Sequence, residues 1–165
     1  MSNTSCRYFS VCSFAALLSV MAAAVVPTSH ADVGPKEATM TQIQIELDDA
    51  VIPATLDDNA TTRDFIARLP LTLQLKDYAS TEKVGFLPDK LTTQGAPAGS
   101  TPVVGDISYY APWGNLAIYY KDFAYSQQLV RLGRISSGIE QLHFSGEKHA
   151  TIRLIHPNHS MKTKP

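Results

Sequence analysis

From Thr41 to Leu47 the chain reads Thr-Gln-Ile-Gln-Ile-Glu-Leu, polar and apolar residues in strict alternation. A period of two places Ile43, Ile45 and Leu47 on one buried strand face and leaves the other face to solvent. The same alternation returns in Leu71-Thr72-Leu73-Gln74-Leu75 and in His149-Ala150-Thr151-Ile152-Arg153-Leu154-Ile155. Between them lie shorter strand-like runs at Val51 to Leu56, Val84 to Leu87, Ile107 to Tyr110, Leu116 to Tyr120 and Leu129 to Ile135. Turn signals separate these runs: Asp48-Asp49, a Gly- and Pro-rich loop from Gln94 to Pro102, and Ala111-Pro112-Trp113-Gly114-Asn115. One helix is expected between Asp57 and Pro70, with Phe65, Ile66 and Leu69 on its apolar face, an Asp, Asn or Thr cap, and Pro70 as its stop. Ile139 to Leu142 reads as a single helical turn. Many short strands with one or two short helices predict a mainly β domain, an antiparallel barrel or sandwich.

The domain does not fill the chain. Residues 1–31 hold no Asp or Glu, a single Arg7, and an apolar run from Val11 to Val26. A positive start, an apolar centre and the small-x-small site Ser29-His30-Ala31 are the parts of a secretory leader. An uncleaved anchor is the alternative, but the run is shorter than the ~20 residues that span a bilayer comfortably, and the helix-breaking Pro27 follows it ahead of the small residues. The expected organisation is a signal peptide over 1–31, a small, polar linker over 32–39, one domain over 40–155 and a tail over 156–165. The expected location is exported, periplasmic or secreted, with no membrane association after cleavage.

Cleavage also changes the chemistry available. Cys6 and Cys12, the only cysteines, leave with the leader. The mature chain then has no disulfide, no Cys-ligated zinc and no Cys nucleophile. The formal net charge of the full chain is -1, from 14 basic and 15 acidic residues. Loss of Arg7 moves it further negative, so no long-range field gathers phosphates and no nucleic-acid partner is expected.

The middle of the chain carries a run of ordered motifs: Leu56-Asp57-Asp58-Asn59-Ala60-Thr61, Leu69-Pro70-Leu71-Thr72-Leu73, Asp77-Tyr78-Ala79, Thr81-Glu82-Lys83, Gly105-Asp106-Ile107, Tyr110-Ala111-Pro112-Trp113-Gly114-Asn115-Leu116, Tyr119-Tyr120-Lys121-Asp122-Phe123 and Leu132-Gly133-Arg134-Ile135. Together they resemble the bacterial cyclophilin-like domain family, over about Met40 to Ile155. The resemblance implies a closed eight-stranded antiparallel cyclophilin-like barrel with one or two short helices. It implies no assigned activity. True cyclophilins rotate the bond before proline, whose barrier of ~18–20 kcal/mol reflects amide resonance; they use a guanidinium near the proline nitrogen and an aromatic pocket for the ring. Their Phe-His-Arg signature with its following Gln and aromatic is missing here. Arg63, Arg68, Arg131, Arg134 and Arg153 stand in other contexts.

The sharpest candidate site is aromatic. Tyr109, Tyr110, Trp113, Tyr119, Tyr120, Phe123 and Tyr125 crowd into one short stretch with Pro112 and Asn115. Tyr and Trp combine apolar area with a polar tip, which suits gripping a peptide or small molecule. The plainer account divides the same aromatics between barrel core and outer face, with Pro112-Trp113-Gly114-Asn115 only shaping a turn. The residues expected to bind a ligand are Tyr78, Glu82, Pro112, Trp113, Asn115, Tyr119 and Phe123. Thr81-Glu82-Lys83 reads either as a pocket mouth or, more commonly for adjacent opposite charges, as a solvated turn.

Other chemistry has less to stand on. His143, His149, His156 and His159 are available to a metal, but Pro157 keeps the ligand-like His156/His159 pair off one helix face. No metal and no cofactor is expected. Asn59-Ala60-Thr61 and Asn158-His159-Ser160 fit the glycosylation sequon, and Asn59 is equally explained as a helix cap. The Gln94 to Ser100 loop lacks a phosphate-binding ending and is expected to wall a pocket. The protein is therefore expected to be a monomeric binding module for a peptide or small ligand, with a divergent prolyl isomerase as the alternative.

Overall fold

The computed structural model describes residues 40–48 and 50–155. The expected leader, linker and tail, with His156, His159 and the Asn158 sequon, lie outside the described residues. In chain order the elements are β1 (Thr41–Leu47), β2 (Ala50–Leu56), α1 (Ala60–Ile66), β3 (Leu71–Tyr78), β4 (Glu82–Phe86), β5 (Gly99–Ser100), β6 (Asp106–Tyr110), β7 (Asn115–Tyr119), β8 (Ser126–Gln127), β9 (Leu129–Ile135), a 3-10 turn (Ile139–Leu142) and β10 (Glu147–Leu154). Eight of the strands close into one antiparallel barrel in the order β1-β10-β3-β4-β7-β6-β9-β2. Closure leaves this sheet no free edge. β5 and β8 pair separately as a two-stranded ribbon.

Alternation fills the barrel as the sequence predicts. Ile43, Ile45 and Leu47 of β1, Ile52 and Leu56 of β2, Leu73 and Leu75 of β3, Ile107 and Tyr109 of β6, Leu116 and Ile118 of β7, and Ile152 of β10 all belong to one buried cluster. Inward positions are thus spent mostly on hydrophobic packing, which leaves the outer wall and the ends of the barrel as places where a ligand could be met.

The helix is shorter than the sequence suggests. Asn59 caps it as expected, its Oδ1 accepting from the Thr62 N–H at 2.9 Å, but α1 ends at Ile66 instead of running to Pro70. The residue before a proline avoids helical backbone, and the Arg68 and Leu69 amides already close tighter i to i-3 bonds, to Phe65 and Ile66. Phe65 is fully buried, while Ile66 and Leu69 only flank the core. Arg68 then grips Asp64 and the carbonyls of Asp89 and Lys90, while Asp64 accepts from the Thr92 amide. These bonds tie the loop after β4 to the helix.

Thr81-Glu82-Lys83 is not a solvated turn. Glu82 and Lys83 begin β4, and Lys83 is 1% exposed. β3 runs three residues past its alternating stretch, so that Asp77 pairs with Lys83 and Tyr78 with Glu82. The two strands are joined through Ala79, Ser80 and Thr81, with Ala79 and Ser80 at φ 51° and 52° and the Thr81 amide donating to the Tyr78 carbonyl at 3.1 Å. Two successive left-handed residues make a tight turn that suits strands of right-handed twist, a role usually given to Asn-Gly. Ala-Ser carries no such signature, which is why the hairpin was invisible in the sequence.

Lys83 faces inward at the barrel mouth and is fully engaged. Its Nζ donates to Asp77 Oδ1 at 2.7 Å and to the Phe144 carbonyl at 2.6 Å, and lies 4.2 Å from the centroid of the Phe144 ring. A buried ammonium is tolerable only with such partners. Tyr120 also donates to Asp77 Oδ1. The Lys83 bond, followed by the Tyr120 bond, holds the Asp77 carboxyl below its usual range.

Two predictions follow from this packing. Asp77→Asn should cost roughly 3 kcal/mol in urea unfolding at pH 7, because it leaves the Lys83 ammonium buried without a counter-charge. A carboxylate with a depressed folded pKa contributes stability above its unfolded value, near ~4, and loses it as the pH falls through the folded value. The gap between parent and variant should therefore narrow below about pH 4, and a gap independent of pH would contradict the role given to Asp77. Gly133→Ala should lower stability by ~1–3 kcal/mol. A Cβ there would lie 2.2 Å from the Thr55 carbonyl oxygen of β2, beside the irregular β6–β9 register; an unchanged melting temperature would show that the strand crossing relaxes freely.

Candidate functional site

The register that sends Lys83 inward sends Glu82 outward. Tyr78 on β3, Glu82 on β4 and Tyr119 on β7 stand opposite one another on the outer face of three neighbouring strands. Four residues back along the same face of β7 stands Asn115, across from Tyr110 of β6. Between these strands' ends, the turn from Ala111 to Gly114 projects Trp113, and Gly114 at φ 71° allows its tight return. The Trp113 ring meets Tyr78 edge-on at 5.3 Å and Tyr110 at 5.5 Å. Phe123 stacks on Tyr119 at 6.5 Å. The β5–β8 ribbon contributes Ser126 and Gln127.

These side chains enclose a cavity of about 250 Å³ on the outer wall of the barrel. Its volume suits one side chain or a small organic molecule. Six of the seven residues singled out in the sequence line it: Tyr78, Glu82, Trp113, Asn115, Tyr119 and Phe123. Pro112 does not; it shapes the turn that carries Trp113. Tyr110, Ala79, Thr81, Ser126 and Gln127 also line the cavity. Tyr110 had a readable signal, since alternation along β6 places it opposite to buried Tyr109. Ser126 and Gln127 had none, because a two-residue strand carries no period.

The aromatic stretch divides between the two roles weighed for it. Tyr109 is core, its hydroxyl accepting from the Leu91 amide at 3.1 Å. Trp113 is 47% exposed and has no place in the core. Tyr120 turns to the other side of its strand, where burial and Asp77 push its hydroxyl up to about 12. The Gln94 to Ser100 loop walls a different depression, beside Asp57, Asn59 and Arg131, and takes no part in the aromatic cavity.

The cavity's electrostatics are one-sided. Burial pushes the Glu82 carboxyl above the usual carboxylate range, and only the Tyr119 hydroxyl acts in the other direction. Burial, then the neighbouring Glu82, raises the Tyr119 hydroxyl in turn. Glu82 Oε2 is buried with no hydrogen-bond partner, and so is Asn115 Oδ1. The Asn115 amide is fixed the other way round, its Nδ2 donating to the Leu116 carbonyl at 3.0 Å. No Lys, Arg or His lines the cavity among the described residues. All five described arginines are paired with carboxylates: Arg63 with Asp58, Arg68 with Asp64, Arg131 with Asp57, Arg134 with Asp106 and Arg153 with Glu46. Among the described residues no group of three or more His, Cys, Asp and Glu side chains is placed to hold a metal ion. His143 packs edge-on against Tyr120, and His149 lies on β10 opposite Gln74.

A family model described as the cyclophilin-like family matches residues 45–153. No curated protein matches the sequence. Among solved structures, the solution structure of a hypothetical protein from Archaeoglobus fulgidus is similar, with a TM-score of 0.54 and 15% identity, over 74% of this chain and 100% of that one. At that identity the likeness speaks for the fold alone. The family match spans most of the barrel, from mid-β1 to the end of β10, and agrees with the closed eight-stranded architecture, so the chain belongs to the cyclophilin-like family.

Proposed function

We propose that the protein is an exported, noncatalytic binding module whose outer-wall cavity takes a small molecule or a single side chain of a peptide. The observation that carries this reading is the pair of orphaned acceptors, Glu82 Oε2 and Asn115 Oδ1, at an aromatic-walled cavity. Buried polar groups are normally satisfied, and each one left unmet costs stability. A site that tolerates two such groups beside half-exposed aromatics is organised for an occupant. Export rests on the leader-like residues 1–31.

The isomerase alternative has aromatic walls in its favour but no guanidinium beside them, since the described arginines are bound elsewhere. Nothing else in the cavity would weaken amide resonance at a proline nitrogen.

A screen of neutral, cationic and anionic fragments together with Xaa-Pro tetrapeptides, followed by the NMR signal of the Trp113 indole, tests the proposal. Trp113 is the only tryptophan, so its signal is unambiguous. At least one class should shift it saturably. Trp113→Ala should abolish the matching shifts at Tyr119 and Glu82 while lowering the melting temperature by only a few degrees. Silence from every class would overturn the binding reading, and catalysed cis-trans exchange in the peptide spectra would put the isomerase first.

Glu82→Gln carries a separate prediction. A carboxyl whose folded pKa is raised costs stability once the pH exceeds its unfolded value, and the cost is complete above the folded one. The variant should therefore melt higher than the parent at pH 8, with the difference vanishing near pH 4. A lower melting temperature at pH 8 would mean that Glu82 is a stabilising structural group.

A further inference from the structure

The cavity's chemistry is uniform enough to specify its ligand. Its polar demand comes from acceptors: a buried carboxylate oxygen and a buried amide oxygen without partners. Its walls are π faces and edges of Tyr78, Tyr110, Trp113, Tyr119 and Phe123. An anion would meet Glu82 with no cation to offset it. A neutral hydroxyl would satisfy one acceptor but leave the desolvated charge uncompensated. A positive group carrying N–H bonds answers each feature at once, because ring faces attract cations most strongly away from water and a desolvated carboxylate gains most from a full opposite charge.

The position of the two acceptors adds a length. Glu82 is paired with Tyr119, and Asn115 lies four residues back along the same face of β7. At ~3.3 Å per residue this separates the two ends by roughly 13 Å of backbone. The cation belongs at the Glu82 end, and Asn115 waits for a second donor further along the ligand.

Resting on the binding reading above, we infer that the cavity recognises an alkylammonium group, an N–H-bearing organic cation, held between Glu82 and the aromatic walls. The same barrel already shows the arrangement in its satisfied form on the opposite face, where the Lys83 ammonium sits between the Asp77 carboxylate and the Phe144 and Tyr120 rings. The outer cavity has the carboxylate and the rings but no ammonium of its own.

The test is a titration of the purified protein with n-butylammonium chloride and, separately, with 1-butanol, a neutral molecule of similar size, at matched ionic strength. The Trp113 indole signal is the readout. The ammonium should shift it saturably and bind at least tenfold more tightly than the alcohol, about 1.4 kcal/mol. Tetramethylammonium, with the same charge but no N–H, should bind more weakly than butylammonium. Affinity for butylammonium should rise with pH as Glu82 ionises. Glu82→Gln, checked for folding by urea unfolding, should weaken it at least tenfold and flatten the pH dependence while leaving the alcohol unchanged. Equal binding of alcohol and ammonium would overturn the cation inference but leave the cavity as a binding site. Ammonium binding unchanged in Glu82→Gln, or no saturable shift with any ammonium, would overturn it as well. The fragment screen then separates a cavity that prefers neutral ligands from one that binds nothing.

Discussion

Closure of the β1-β10-β3-β4-β7-β6-β9-β2 ring is the constraint on which the rest of the molecule depends. A closed sheet of this size has an interior just wide enough for side chains to fill. Here Ile43, Ile45, Ile52, Leu75, Ile107, Leu116, Ile118 and Ile152 fill it and exclude solvent almost completely. No lumen is left for a ligand, so function is displaced to residues that alternate outward or sit at the mouths. The β3–β4 hairpin is where this displacement becomes specific. Its two left-handed residues, Ala79 and Ser80, hold Asp77 opposite Lys83 and Tyr78 opposite Glu82. Each such residue other than glycine costs roughly 1–2 kcal/mol, and backbone strain of this kind tends to persist where geometry matters for function.

Two neighbouring charges therefore meet opposite fates. Lys83 turns inward and finds a carboxylate, a carbonyl and two rings. Glu82 turns outward into an aromatic wall and keeps one oxygen without a partner. The first is a structural staple, because the charge is compensated on every side that water has left. The second is a deficit that folding alone does not repair. Membership of the cyclophilin-like family is consistent with both, since the fold fixes the barrel and leaves the chemistry of its outer wall to individual side chains.

Much of the barrel could be read directly. Alternation in Thr41–Leu47 and Leu71–Leu75 gave strand faces that the packing reproduces, and the Asn59 cap is where a cap was expected. The failures share a cause: they occur where local sequence carries no period or turn signature. Ala79-Ser80 does not look like a hairpin turn, so the sequence leaves Thr81-Glu82-Lys83 open between a pocket mouth and a solvated turn, whereas Glu82 and Lys83 begin β4 and Lys83 is buried. β5 and β8 are two residues each, too short to announce themselves, yet β8 closes one side of the cavity. The aromatic cluster was visible as composition, but its division could only come from register: Tyr109 and Tyr110 are adjacent, and one is core while the other faces the cavity. Pro112 shares the sequence neighbourhood of Trp113 but does not line the cavity.

The account stands on Glu82 being a desolvated carboxyl held ready at the outer wall, and its own titration tests that most directly. In protein labelled with carbon-13, the Glu82 side-chain carboxyl signal followed against pH should show a midpoint clearly above ~4.3, the ordinary value for a glutamate. A midpoint at or below that value would mean that water or a protein donor already satisfies the carboxylate, and the cavity would lose the feature that marks it as a site.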